Sequence, residues 1–104
     1  MATFTYGTTS GMSAAEIAPN GGLKVVQIKV PATFVWGTDS IAVDLATFGA
    51  TRIAGFIACE ETTEGSVVVC ASTGTTSVST TTLTYVSTGM SANTDIGSLI
   101  LFIY

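Results

Sequence analysis

The sequence predicts an all-β protein: an antiparallel β-sandwich of jelly-roll type, with six to eight short strands and no long helix. Three observations predict it. Apolar residues recur in short Val-, Ile- and Leu-rich runs, separated at near-regular spacing by turns bearing Gly, Pro, Asn and Asp. Several runs alternate apolar and polar with a period of two, the pattern of a strand with one buried face. No segment sustains the helical apolar period for long enough to make a core helix. The Cys–Trp–Cys order of an immunoglobulin-type sandwich is missing, because Trp36 precedes both Cys59 and Cys70.

Residues 1–22 are read as a loosely structured N-terminal arm, and residues 23–104 as a single sandwich domain. In the arm, Ser13 and Glu16 have capping-box spacing, so one helical turn is expected there before Pro19. Pro19-Asn20-Gly21-Gly22 is a turn signal. In the first expected strand, residues 23–30, Val26, Ile28 and Val30 alternate with Gln27 and Lys29 until Pro31 removes a ladder donor. The next strand, 40–45, turns Ile41, Val43 and Leu45 inward and leaves Ala42 and Asp44 outside. The Ser/Thr run at 72–82 reads as a loop with a short exposed strand. Leu83 to Val86 resumes alternation, and 99–104 closes the chain as a strand with two apolar faces.

The organising element is the hairpin expected across residues 52–72. Its two apolar runs flank a polar insert carrying Glu60, Glu61 and Glu64. Val67, Val69 and Ala71, with Ile53 and Ile57, are assigned to the core. Phe56, Ala58 and Val68 form a second face, covered by the other sheet or by a neighbouring subunit. Register decides the fate of the cysteines. A two-residue turn at Glu64-Gly65 places Cys59 opposite Cys70, whereas a bulge at Gly65 shifts the pairing by one and sends the sulfurs to opposite faces. Glu-Gly is a poor type I′ pair, so the bulged register and two reduced, buried cysteines are expected.

Composition narrows the function. Only 10% of the 104 residues are charged, against 47% hydrophobic, and the net charge of −4 includes three cations. Nucleic-acid binding requires clustered Lys and Arg, so it is not expected. The apolar LILFIY segment is far shorter than a membrane span, and the N-terminus lacks the features of an export signal. A chain made in the cytoplasm and not inserted in a membrane is therefore expected. So little charge on so small a domain implies that much of its surface is buried against copies of itself or a larger assembly.

Candidate chemistry is sparse. The absence of His removes Ser–His–Asp and Cys–His catalysis and the usual zinc sites. Glu60, Glu61 and Glu64 match no calcium loop, and an acidic turn is ordinarily solvated. Asp44 and Glu60 are the carboxylates from which a glycoside-hydrolase pair can be imagined, but both fall at a strand face or end where exposed charges are expected. No enzyme activity, cofactor or metal is expected. Phe34, Trp36, Phe56 and Val68 are the candidates for an interface or ligand platform. For Trp36 the choice lies between a sugar-binding platform and a core or interface anchor.

The succession APNGGLKVVQIKVPAT, a Gly- and Asp-bearing turn, IAVDLATFG, a hairpin with ETTEGSVVV and a following TTSVS resembles small virion structural proteins of tailed bacteriophages. These are of head decoration (cement) or minor capsid type. The likeness covers about residues 16–86, while the apolar C-terminal SLILFIY departs from it. It implies a capsid-surface subunit, a homotrimer in the first instance, that binds the major capsid protein and stabilises the head. It carries over no site residues. The alternative is a carbohydrate- or receptor-binding module on the virion surface or fibre tip.

Overall fold

The computed structural model describes residues 2–17, 23–61, 66–90 and 97–104, with the backbone alone at Ile17, Val67 and Val68. Nine strands lie among the described residues: β1 (Thr3–Thr5), β2 (Ser13–Ile17), β3 (Lys24–Val30), β4 (Ser40–Asp44), β5 (Ile53–Glu61), β6 (Val67–Ala71), β7 (Thr75–Ser79), β8 (Thr82–Val86) and β9 (Gly97–Ile103). One sheet has the order β1-β4-β8-β7 and the other β2-β3-β9-β5-β6. They pack as a β-sandwich, as the sequence predicts, with one strand more than the expected range. A jelly roll consists of eight strands in two Greek keys. The nine described strands, which include a parallel β1–β4 pair, make a β-sandwich without establishing that refinement.

Alternation builds the core where the sequence places it. Val26, Ile28 and Val30 of β3 meet Leu99, Leu101 and Ile103 of β9 on the inner face of the five-stranded sheet. Ile41 and Val43 of β4, with Leu83 and Tyr85 of β8, close on them from the other sheet. A fully buried aliphatic or aromatic side chain contributes about 1.5–3 kcal/mol relative to exposure, so these positions dominate stability. Asp44 caps a short 3-10 turn, Leu45–Phe48, by accepting from the Ala46 N–H at 3.1 Å. Gly49 ends that turn at φ 72°, a left-handed conformation glycine adopts without a Cβ penalty. Lys24 Nζ then donates to the Phe48 carbonyl at 2.7 Å and pairs with Glu16 at 3.2 Å, tying the turn to the sheet edge.

Three expectations are corrected. Residues 1–22 are not wholly a loose arm, and Ser13–Ile17 is not a helical turn. β1 joins the four-stranded sheet, and β2 pairs along its whole length with β3. Helix propensity in SAAEI is worth a few tenths of a kcal/mol per residue and yields to a ladder of backbone hydrogen bonds.

The second correction concerns the hairpin faces. Phe56 and Ala58 face the core together with Val69 and Ala71, while Ile57 lies on the outer face. Ile53 still packs against the core, because a register shift between Ile53 and Gly55 reverses the alternation. The side chains of Val67 and Val68, and residues 62–65 with Glu64, lie outside the described residues.

The third correction concerns the cysteines. Cys59 and Cys70 are cross-strand partners joined by a disulfide. Pairing runs Ala58–Ala71, Cys59–Cys70, Glu60–Val69 and then slips to Glu61–Val67. The strands thus slip by one within β6, between Val69 and Val67, which leaves Cys59 and Cys70 directly opposite with both sulfurs on one face. The turn at Glu64-Gly65 lies outside the described residues.

Candidate interaction surface

The first candidate platform lies in the interior. Phe34 and Trp36 are fully buried, at 0% exposure, in the loop between β3 and β4. That loop folds inward because its backbone is satisfied locally. Phe34 N–H donates to the Pro31 carbonyl at 3.0 Å, and Asp39 N–H donates to the Val35 carbonyl at 2.9 Å. The buried Asp39 carboxylate accepts the Val35 N–H on one oxygen and the Ala2 N–H on the other, both at 2.9 Å. Ser87 Oγ donates to the Asp39 carbonyl at 2.6 Å and accepts the Gly37 N–H at 3.1 Å. Asp39 thus ties the N-terminal strand, the Trp36 loop and the end of β8 together.

The aromatic rings fill the space this knot encloses. Phe4, Phe34 and Trp36 stack edge to face, at centroid distances of 5.1 and 4.9 Å. A ring shielded on every side offers no face to a sugar, so burial corrects the platform reading of Phe34 and Trp36. Phe56 is half-buried and leans on Tyr85 at 5.4 Å from the core side of β5, so it too is a packing residue. Nothing is described for the fourth candidate, the Val68 side chain.

Among the described residues, no group of three or more His, Cys, Asp or Glu side chains gathers as a site, and Asp44 and Glu60 stand in different settings. Asp44 is exposed and accepts from Thr81 Oγ1 at 2.8 Å, besides capping its turn. Glu60, expected in a solvated turn, is instead fully buried on the core face of β5, opposite Val69 and Gly97. Glu61 follows it on the other face and is half-buried. Tyr85 hydroxyl donates to the Thr73 carbonyl at 2.7 Å. Burial, and secondarily the charge of Glu60, push its phenol well above the usual tyrosine range, which keeps that donor protonated.

The outer face of the five-stranded sheet is different in kind. Three rows cross it: Val25–Phe102–Gly55, Gln27–Ile100–Ile57, and Lys29–Ser98–Cys59–Cys70. Val25, Ile57, Ile100 and Phe102 are apolar and only half-buried. Ser98 is buried, and Gln27 Nε2 donates to its hydroxyl at 3.2 Å. The disulfide covers one end, with Cys59 buried and Cys70 exposed. Lys29 is the one charge within these three rows. A sheet with one solvated face normally turns polar residues outward, whereas this face turns outward three aliphatic residues and an aromatic on its three inner strands. The sequence signal was the doubly apolar β9.

No protein-family model matches the chain, and comparisons with curated proteins and with solved structures give no match.

Proposed function

We propose that this protein is a structural virion subunit of the head decoration or minor capsid type, acting through protein–protein contacts at the capsid surface. The observation that carries the reading is the apolar outer face formed by Val25, Ile57, Ile100 and Phe102. Such a face, with one charge across its three rows, suits a broad contact in which little charge is desolvated. The low charge content of the whole chain and its resemblance to phage virion proteins support the same reading. The carbohydrate-binding alternative loses its platform, because Trp36 is in the core.

Co-expression with the major capsid protein encoded nearest to it, followed by purification of assembled heads, provides the test. The chain is expected to co-purify with the heads at a fixed ratio. A chain that remains wholly in the low-mass fraction would count against the reading.

A further inference from the structure

A β-sandwich has four open edges, and exposed edges invite pairing with other chains unless something blunts them. Three edges here carry such a device. β1 has only three residues. β2 places Glu16 opposite Val26, on the core-facing side, where it remains exposed and pairs with Lys24. β6 contains the bulge that breaks its register with β5.

β7 has none of these. It is five residues long, TTSVS, without charge or proline, and it pairs with β8 in continuous register from Thr75–Val86 to Ser79–Thr82. Among the described residues, no strand lies on its other side.

Val78 adds an independent observation. It sits opposite Leu83, which is fully buried, and so belongs to the core-facing side of its sheet. It is nevertheless 38% exposed, one of three large apolar side chains so exposed among the described residues. The sandwich runs out before it covers this edge.

We propose that the outer edge of β7 pairs antiparallel with the same edge of a second copy of this chain, around a two-fold axis at Ser77. The backbone pattern fits that axis. β7 and β8 are joined by the two-residue turn Thr80-Thr81, so the closing pair Ser79–Thr82 exchanges hydrogen bonds, as do the alternate pairs at Ser77 and Thr75. The N–H and C=O groups of Thr76 and Val78 therefore point away from β8. Centring the axis on Ser77 sets Thr76 against Val78 of the copy and Val78 against Thr76, which is the hydrogen-bonded spacing those outward groups require.

The side chains fit as well. Thr76 and Val78 share the core-facing side, so each Val78 gains a β-branched cross-strand neighbour and loses exposure. An isologous contact sets a strand against itself, and a charged strand risks meeting its own like charges. The uncharged β7 avoids that. The result is a dimer with one continuous eight-stranded sheet. This inference stands on the edge alone and does not require the head-binding reading.

Two measurements on the intact chain test it. Light scattering after size exclusion is expected to give twice the 10.6 kDa chain mass, falling to 10.6 kDa for Val78→Lys. Amide hydrogen exchange is expected to show Thr76 and Val78 protected in the wild type, and exchanging fast in Val78→Lys while Ser77 and Ser79 stay protected. Protection retained at Ser77 and Ser79 shows that the variant is folded. A wild-type monomer up to millimolar concentration would overturn the proposal. So would fast exchange at Thr76 and Val78, or an oligomer mass that Val78→Lys leaves unchanged. A dimer that fails to bind heads leaves the pairing intact and counts only against the virion reading.

Discussion

Asp39→Ala is expected to cost about 3 kcal/mol of folding stability, because it strips the acceptor from two backbone N–H groups at once. Those groups, on Ala2 and Val35, each bond one oxygen of the carboxylate at 2.9 Å. Asp39 is buried, so water does not readily replace it. The effect should reach well beyond position 39. The Val35 bond fixes the loop that carries Phe34 and Trp36 into the core, and the Ala2 bond fixes the entry to β1. For a domain of this size the loss corresponds to a drop in melting temperature on the order of 15 °C. Asp39→Asn retains one acceptor and should fall between wild type and Ala. Chemical denaturation followed by Trp36 fluorescence measures this. A loss below about 1 kcal/mol for Ala would mean that the two bonds do not hold the loop.

The second large effect is expected at Gly97→Ala, again about 3 kcal/mol, here through overpacking. A Cβ at Gly97 would meet the Cys59 carbonyl oxygen and lie 2.8 Å from Cζ2 of Trp36. Neither neighbour has room to retreat. Cys59 is held by both the β5 ladder and its disulfide, and Trp36 is enclosed at 0% exposure. The glycine serves close approach here: its missing side chain is the space into which the indole packs. The variant should therefore show a lower denaturation midpoint and a red-shifted Trp36 emission, as the ring is displaced toward water. A wild-type midpoint and emission maximum together would contradict the packing described.

Both effects converge on the segment that connects β3 to β4, which reads from sequence only as a turn holding two aromatic residues. The strands themselves were more legible. β3, β4 and β8 follow directly from alternation, because one wet face leaves an unambiguous period of two, while β9 was legible as a strand with two apolar faces. The hairpin β5–β6 was legible in position but not in facing. Its runs are apolar on both sides, so nothing in the pattern says which set is inside, and two register irregularities then shift the parity. The same irregularity in β6 decided the cysteine pairing. The slip between Val67 and Val69 separates the register near the turn from the register at Cys59–Cys70, and turn chemistry alone does not reveal it.

The N-terminal strands were hidden for a different reason. SAAEI has no strand-like composition and becomes a strand because β3 offers it an unpaired edge. Glu60 was equally opaque, since a carboxylate beside a turn carries no mark of burial in its sequence context. Of the surface proposed to act, β9 showed its two apolar faces in advance. Its neighbours Val25 and Ile57 joined the patch only once the strand order placed them beside it.

The central proposal is that this outer face of the five-stranded sheet is what the protein uses. The most direct measurement is head binding by a chain carrying Ile100→Lys and Phe102→Lys. Both positions lie half-buried on the outer face and away from the core, so the variant should keep its far-UV spectrum and most of its thermal stability. The predicted result is at least a tenfold loss of affinity for purified heads, about 1.4 kcal/mol or more, with the fold intact. A folded double variant that binds heads as tightly as the wild type would contradict the proposal.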